Sequence, residues 1–338
     1  MKFKILFTSK NNYDLLENWM INYSDYSLPE IINLDLGSQE SQKEIGKKIC
    51  DKYSIKYLVA EKTEFQHNFF QVFKTLNKDS YILYLHQDCF PTEKDTFLKI
   101  DNYLIKNDLS EFGLIGFNIY HDKEIKYFQE SNLRPMTTSR CVLQKGNGYY
   151  MRYPKGSKVN YQNFIMTKAF AVENIMWTAL LISSKSFFKN IKKDLDFNFF
   201  FAPDDMAYQF LSKNVFNIVI PDINFIHDQK IKTKYNLPKD SPLGDKKEVE
   251  KLYGKYIGVE KMWKKKWGFE YNPKKTIRIL NNRFLKKILL ILAPSVYSNL
   301  ETIARSDFKK LGIKNGLLND FFNHDPSKGP LKYFELKK

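Results

Sequence analysis

Four aspartates and one histidine stand where apolar runs give way to turns, and their order along the chain points to one site built from distant segments. Asp35 closes the run Ile31-Ile32-Asn33-Leu34 and is followed by Leu36-Gly37-Ser38. Asp88 follows Tyr81 to Leu85, with His86 and Gln87 between. Asp204 and Asp205 open a helical pattern after an aromatic run, and His227 ends another apolar run. Carboxylates at strand ends suit the crevice in which an open α/β sheet binds ligands. Asp88 there could hold a hard divalent cation, Mg2+ or Mn2+, beside phosphate oxygens, and His227 would complete an oxygen-and-nitrogen pair. Asp35 could hold a base or ribose edge. Asp205, set beside an acceptor hydroxyl, could remove its proton as a new bond forms, which needs placement more than a large pKa shift.

Each of these residues has a plainer alternative. Asp35 could simply cap its turn. Asp204 and Asp205 could cap a helix, whose first amides and dipole favour carboxylates. His86 and Gln87 could be ordinary loop polarity, and His227 an ordinary core or surface histidine.

The surrounding pattern supplies the elements that would position them. Lys4 to Phe7, Ile31 to Leu34, Lys56 to Ala60 and Tyr81 to Leu85 read as strands. Asp14 to Tyr23, Gln42 to Tyr53 and Asn68 to Leu76 read as the helices between them. This alternation predicts a mostly parallel sheet flanked by helices. Cys89-Phe90-Pro91 is expected to stop the fourth strand. Further on, Leu114 to Phe117 and Trp177 to Ile182 read as strands, Ser186 to Ile191 and Pro203 to Lys213 as helices, and Phe216 to Ile220 and Phe225-Ile226 as two short strands. Residues 121 to 170 show no clear period and read as loops or short hairpins, and long loops above a sheet are the usual place for function.

Composition sets limits. With 43% hydrophobic and 16% aromatic residues in 338, the chain can bury a full core and carry an appendage. No run approaches the roughly 20 apolar residues that span a bilayer. The first seven residues pass into Thr8-Ser9-Lys10 too soon for a secretory signal, so a cytoplasmic chain is expected. Cys50, Cys89 and Cys141 are odd in number and scattered, which argues against a disulfide framework or a thiolate zinc site.

The net charge of +16 is unevenly spread. Residues 229–338 hold 26 lysines and arginines against 11 aspartates and glutamates, whereas residues 1–228 hold 28 against 27. Two parts are therefore expected: a near-neutral front domain over 1–228, which carries the strand-end carboxylates, and a basic, mainly helical extension over 229–338. In the extension, Ile277, Leu280, Phe284, Ile288 and Ile291 fall on one helical face, with Arg278, Arg283, Lys286 and Lys287 opposite. Such a helix could lie on an anionic membrane surface at its cytoplasmic face or pack on the catalytic domain.

The ordered motifs resemble those of family-2-type glycosyltransferases with the GT-A fold. Asp35-Leu36-Gly37-Ser38 is similar to the D-x-G-S turn, Asn68 to a helix-borne asparagine, and His86-Gln87-Asp88 occupies the place of the D-x-D metal motif, as in a related branch with H-Q-D. Asp196 to Phe200 followed by Asp204-Asp205 is similar to the F-D-E-x-F-F and E-D segments, His227 to a late histidine, and Lys266-Trp267 to a following K-W element. The chain departs from the pattern at His86, which removes one acid, and at Ala207, which stands where many members carry another.

The resemblance implies transfer of a sugar from a nucleoside-diphosphate sugar to a hydroxyl of a glycan or lipid-linked acceptor, with inversion. It implies Mn2+ or Mg2+ on Asp88 and His227, nucleotide contacts from Asp35, Ser38, Asn68, His86 and Gln87, and catalytic roles for Asp205 and Asp204. Arg134, Arg140, Tyr149, Tyr150 and Trp177 would choose the acceptor.

Other classes fit less well. A nucleic-acid-binding protein would use the basic tail but leave the strand-end carboxylates of a neutral front unexplained. A nucleotidyltransferase should carry a glycine-rich phosphate loop, and Thr8-Ser9-Lys10-Asn11-Asn12 has none. A catalytically inactive, sugar-nucleotide-binding relative is the third alternative.

Overall fold

The computed structural model describes residues 1–62, 65–121, 168–173, 175, 178–192, 202–228, 262–263, 265–267, 288, 291–292, 316–323 and 330–338. Their strands are β1 (Phe3–Ser9), β2 (Ile31–Asp35), β3 (Lys56–Val59), β4 (Tyr81–Leu85), β5 (Cys89–Pro91), β6 (Leu114–His121), β7 (Ala169–Val172), β8 (Ala179–Ser183), β9 (Asn217–His227) and β10 (Tyr333–Phe334). The helices are α1 (Tyr13–Tyr23), α2 (Glu40–Lys52), α3 (Phe65–Lys74), α4 (Thr96–Lys106), α5 (Ser184–Asn190), α6 (Ala202–Ser212) and α7 (Gly316–Asn323).

All ten strands join one sheet in the order β10-β7-β9-β6-β8-β4-β1-β2-β3, with β5 paired to β9. β3, β2, β1 and β4 run parallel, as the βα alternation requires. β8 is antiparallel to both β4 and β6, so β6 points the same way as β4, and β9 runs parallel to β6. Among strands on the main path, only β8 and β7 are reversed. The ends of β1, β2, β3, β4 and β9 therefore share one edge.

Strand sequence explains strand position. β2, β4 and β8 are buried at every residue; β4 and β8 are near-continuous apolar runs covered on both faces, and β2 also buries Asn33 and Asp35. Along β1 the alternation divides two cores: Leu6 joins Ile32, Ile82 and Tyr84 beneath α3 and α6, whereas Phe3, Ile5 and Phe7 join Leu83, Trp19 and Phe97 beneath α1 and α4. The Trp19 ring meets Phe7 edge-on at 5.0 Å, which seats α1 on the sheet.

Some elements differ from the expectation. β9 is one strand rather than two, because the pairing with β6 jumps from Phe117–Ile220 to Asn118–Asn224 and loops out the residues around Pro221, which has no N–H to give the ladder. Asn118 instead donates its side-chain amide to the Pro221 carbonyl. Cys89-Phe90-Pro91 does not merely stop a strand; it forms β5 against the end of β9. α4 adds to the elements read from the sequence, with Phe97, Ile100 and Leu104 buried at helical spacing.

The described residues beyond 228 do not stand apart from the front. Trp263, Leu317, Leu318 and Phe321 lie in the same buried cluster as Met206, Phe210 and Phe170. β10 extends the sheet, and the Lys337 amide donates to Asn107 Oδ1 at 2.9 Å. Among the described residues, no helix is long and apolar enough to cross a membrane. Most of the amphipathic stretch 277–292 lies outside them.

Candidate active site

Asp88 is the centre of one cluster. It follows β4 by three residues and is almost fully buried. His227 ends β9 directly opposite Cys89 of β5, and its Nε2 lies 3.3 Å from Asp88 Oδ2. His86 closes the group from the other side, its Nδ1 3.6 Å from Asp88 Oδ1. Burial works against the Asp88 carboxylate, yet the hydrogen bonds and charges of His227 and His86 outweigh it and hold the carboxyl well below the usual carboxylate range.

One ligand atom from each of His86, Asp88 and His227 can lie within 4.8 Å of the others, a spacing that fits one divalent cation. Sequence reasoning had assigned only Asp88 and His227 to the metal. His86 adds a second imidazole, which moves the donor set away from the all-oxygen surroundings Mg2+ prefers and toward a transition-metal ion.

Gln87 fastens this turn to the neighbouring strand. Its amide nitrogen donates to Ser9 Oγ at 2.6 Å and its oxygen accepts from Asn12 at 2.8 Å. The His86 amide donates to the Thr178 carbonyl at 2.9 Å, at the start of β8. Gln87 therefore acts as a brace between the ends of β1 and β4.

Asp35 is wholly buried at the end of β2. Its Oδ1 accepts the amides of Gly37 and Ser38 at 2.8 and 2.7 Å, and Oδ2 accepts the hydroxyls of Tyr13 and Tyr57. Burial alone would raise its pKa, but the Ser38 amide, Tyr13 and Tyr57 together lower it. Burial likewise pushes the Tyr57 hydroxyl up to about 12. Gly37 has φ +86°, which only glycine adopts at little cost, and Gly46 leaves room for the Tyr13 ring, which a Cβ there would meet at 2.3 Å. Ser38 Oγ accepts the amide of Asn11 at 3.0 Å. Both oxygens of Asp35 are thus engaged within the protein, as the turn-capping alternative demands, and the turn is locked to the loop after β1.

The second cluster surrounds Asp205. α6 leads into β9 through four residues, so its first turn lies at the edge where β9 ends. α3 follows β3 and starts at that same edge. Gln66 from α3 and Gln209 from α6 donate to Asp205 Oδ2 at 2.7 and 2.8 Å. Trp267 Nε1 donates to Oδ1 at 2.9 Å, and Lys266 Nζ lies 2.8 Å from Oδ1 and 2.9 Å from Oδ2. Burial raises the Asp205 pKa, and Lys266, Gln209 and Gln66 oppose that rise. In this arrangement the carboxylate of Asp205 is not open to an acceptor hydroxyl.

Asp204 is buried beside it in the first turn of α6. Asn68 is buried in the first turn of α3, its Oδ1 without a hydrogen-bond partner among the described residues. Sequence reasoning missed Tyr13, Tyr57 and Gln66 as partners of the two carboxylates, since nothing in their local spacing marks them. Arg134, Arg140, Tyr149, Tyr150, Trp177 and the run 196–200 lie outside the described residues.

No family model matches the chain. No curated protein matches it by sequence. Among solved structures it is similar to the mannosyltransferase PcManGT from Pyrobaculum calidifontis in complex with GDP-Man and Mn2+, at 12% identity over 92% of this chain and 76% of that one, with a TM-score of 0.47. GalNAc-T7 with UDP, GalNAc and Mn2+ gives 12% identity over 89% and 58%, with a TM-score of 0.49. S. aureus TarS 1-349 gives 11% over 93% and 81%, with a TM-score of 0.45.

Proposed function

We propose that the chain is a GT-A-type glycosyltransferase that moves a sugar from a nucleoside-diphosphate sugar to a hydroxyl of a glycan or lipid-linked acceptor. One observation carries this reading: His86, Asp88 and His227, from segments distant in the sequence, come together as a group that could hold a metal ion, at the sheet edge where α3 and α6 begin. The Asp35 turn is tied to the loop after β1, and Gln87 braces that same loop. An edge of this kind is where an α/β sheet receives a nucleotide.

In this reading Asp88, His227 and His86 would hold Mn2+, which when bound neutralises charge developing on the departing diphosphate. Asp35 and Ser38 shape the turn under the nucleotide, and Asn68 offers its amide from α3. The acceptor oxygen bonds to the anomeric carbon from the face opposite the diphosphate. The carbon–oxygen bond to the diphosphate breaks with its electron pair, and the acceptor proton passes to Asp205, with Asp204 beside it. Inversion follows from that single displacement. In this reading the apolar and basic faces of the stretch 277–292 would lie on an anionic membrane, which suits a lipid-linked acceptor at the cytoplasmic face. Nucleic acid is not part of this reading.

The test is a thermal-shift series with UDP, GDP and their hexose conjugates, with and without Mn2+. A ligand that binds only the folded chain raises its melting temperature by mass action. A nucleotide shift that grows with Mn2+ is expected, together with turnover of the matching sugar nucleotide. A melting curve indifferent to every nucleotide would remove the reading.

A further inference from the structure

Resting on the glycosyl-transfer reading, the geometry points to a role for two residues outside the front of the chain. We propose that Lys266 and Trp267 are positioning residues that cover Asp205 until an acceptor arrives, and that the acceptor hydroxyl takes the place of the Trp267 indole N–H on Oδ1.

The donors around Asp205 divide into two kinds. Gln66 and Gln209 are buried and come from helices rooted against the sheet, so they form a fixed floor beneath Oδ2. Lys266 and Trp267 are only partly buried and come from a segment about 60 residues on. A carboxylate has about four lone-pair directions, and here Gln66, Gln209, Trp267 and Lys266 take them all. Nothing can accept a proton there unless one donor leaves.

The donor best placed to leave is the indole. Trp267 gives Asp205 one neutral hydrogen bond, whereas Lys266 bridges both oxygens with its charge. The ring also has somewhere to stay, since it packs edge-on to Tyr208 at 5.5 Å and lies 6.0 Å from Trp263, which is fully buried. An acceptor hydroxyl arriving at Oδ1 replaces one N–H donor with one O–H donor, so the carboxylate keeps its count of hydrogen bonds. Water is excluded in the interval, which prevents the activated donor sugar from being hydrolysed. Transfer then forms the bond from acceptor oxygen to anomeric carbon, releases the diphosphate with its electron pair and leaves the proton on Asp205.

The experiment uses the full chain as wild type, Trp267→Phe and Lys266→Met, each checked for a cooperative melt. Trp267→Phe keeps an aromatic ring against Tyr208 and removes the N–H together with the five-membered part of the indole. Carboxyl groups are labelled with a water-soluble carbodiimide and glycine ethyl ester, and the peptide carrying Asp205 is read by mass spectrometry. Asp205 should resist labelling in wild type and become labelled in both variants. Separately, release of nucleoside diphosphate from UDP-GalNAc and GDP-mannose is measured with Mn2+ and no acceptor, and it should rise roughly three- to tenfold in Trp267→Phe. Labelling of wild-type Asp205, or resistance in both folded variants, overturns the cover. A labelled Trp267→Phe whose donor hydrolysis does not exceed a measurable wild-type rate overturns the exchange on Oδ1. If no variant consumes any sugar nucleotide, glycosyl transfer fails while the labelling still decides the cover.

Discussion

His227 stands directly opposite Cys89 across the antiparallel pair of β5 and β9, and this register sets its Nε2 3.3 Å from Oδ2 of Asp88, the residue before Cys89. The three-residue strand β5 thus sets the spacing between Asp88 and His227, although neither residue lies in it. The Asp228 amide repeats the constraint by donating to the Asp88 carbonyl at 2.9 Å.

Metal binding should follow that register. Asp88→Asn removes the one charged ligand of the triad and should abolish the Mn2+-dependent rise in melting temperature. His227→Ala and His86→Ala, each removing one of the three candidate ligands, should both weaken Mn2+ binding strongly. Calorimetric titration with Mn2+ and Mg2+ checks this, with Mn2+ bound the more tightly because two of the three donors are imidazoles. Unchanged Mn2+ affinity in Asp88→Asn would show that the triad is not the metal site.

Asp35 should add to the acid sensitivity that Asp88 confers. The folded-state pKa of Asp35 is lowered, so its stabilising contribution is complete above the unfolded value of about 4 and is lost as pH falls through the folded value. Asp35→Asn replaces an acceptor by an amide donor facing Tyr13 and Tyr57 or the Ser38 amide, and should cost about 2 kcal/mol at pH 7. Urea unfolding at pH 7 and again near pH 3 should show the gap between wild type and variant narrowing in acid. A gap of the same size at both pH values would contradict the assignment of the shift to Asp35.

Much of this arrangement was legible from the sequence, for identifiable reasons. β1 to β4 were readable because each is a short apolar run between helical patterns, and Asp35, Asp88 and His227 because they end such runs. What joins them was not readable. The Tyr13–Asp35 bond depends on Gly46 admitting a ring from the neighbouring helix. The β9 bulge depends on how Pro221 meets a strand more than a hundred residues earlier. Asp205 offers the sharpest case, since its position at a helix start was visible but its four partners come from three separate segments. The boundary expected at residue 228 rested on charge, and charge reports the surface; Trp263 and the apolar face of α7 sit beneath it.

That buried contact makes the tail part of the core's stability. Trp263 is fully buried and meets Tyr208 edge-on at 5.1 Å, and Tyr208 in turn donates its hydroxyl to the buried Glu173. Trp263→Ala should therefore destabilise the whole chain by about 3–5 kcal/mol, through lost contact and the space left behind. A chain ending at residue 228 should fare worse, because it loses Trp263, the α7 contacts with α6 and the β10 edge together. Urea denaturation followed by tryptophan fluorescence and circular dichroism separates these cases. Single, coincident transitions at lower urea are expected for Trp263→Ala, with no cooperative transition in the truncated chain. A truncated chain that melts cooperatively at the wild-type midpoint would show that the front is complete without its extension.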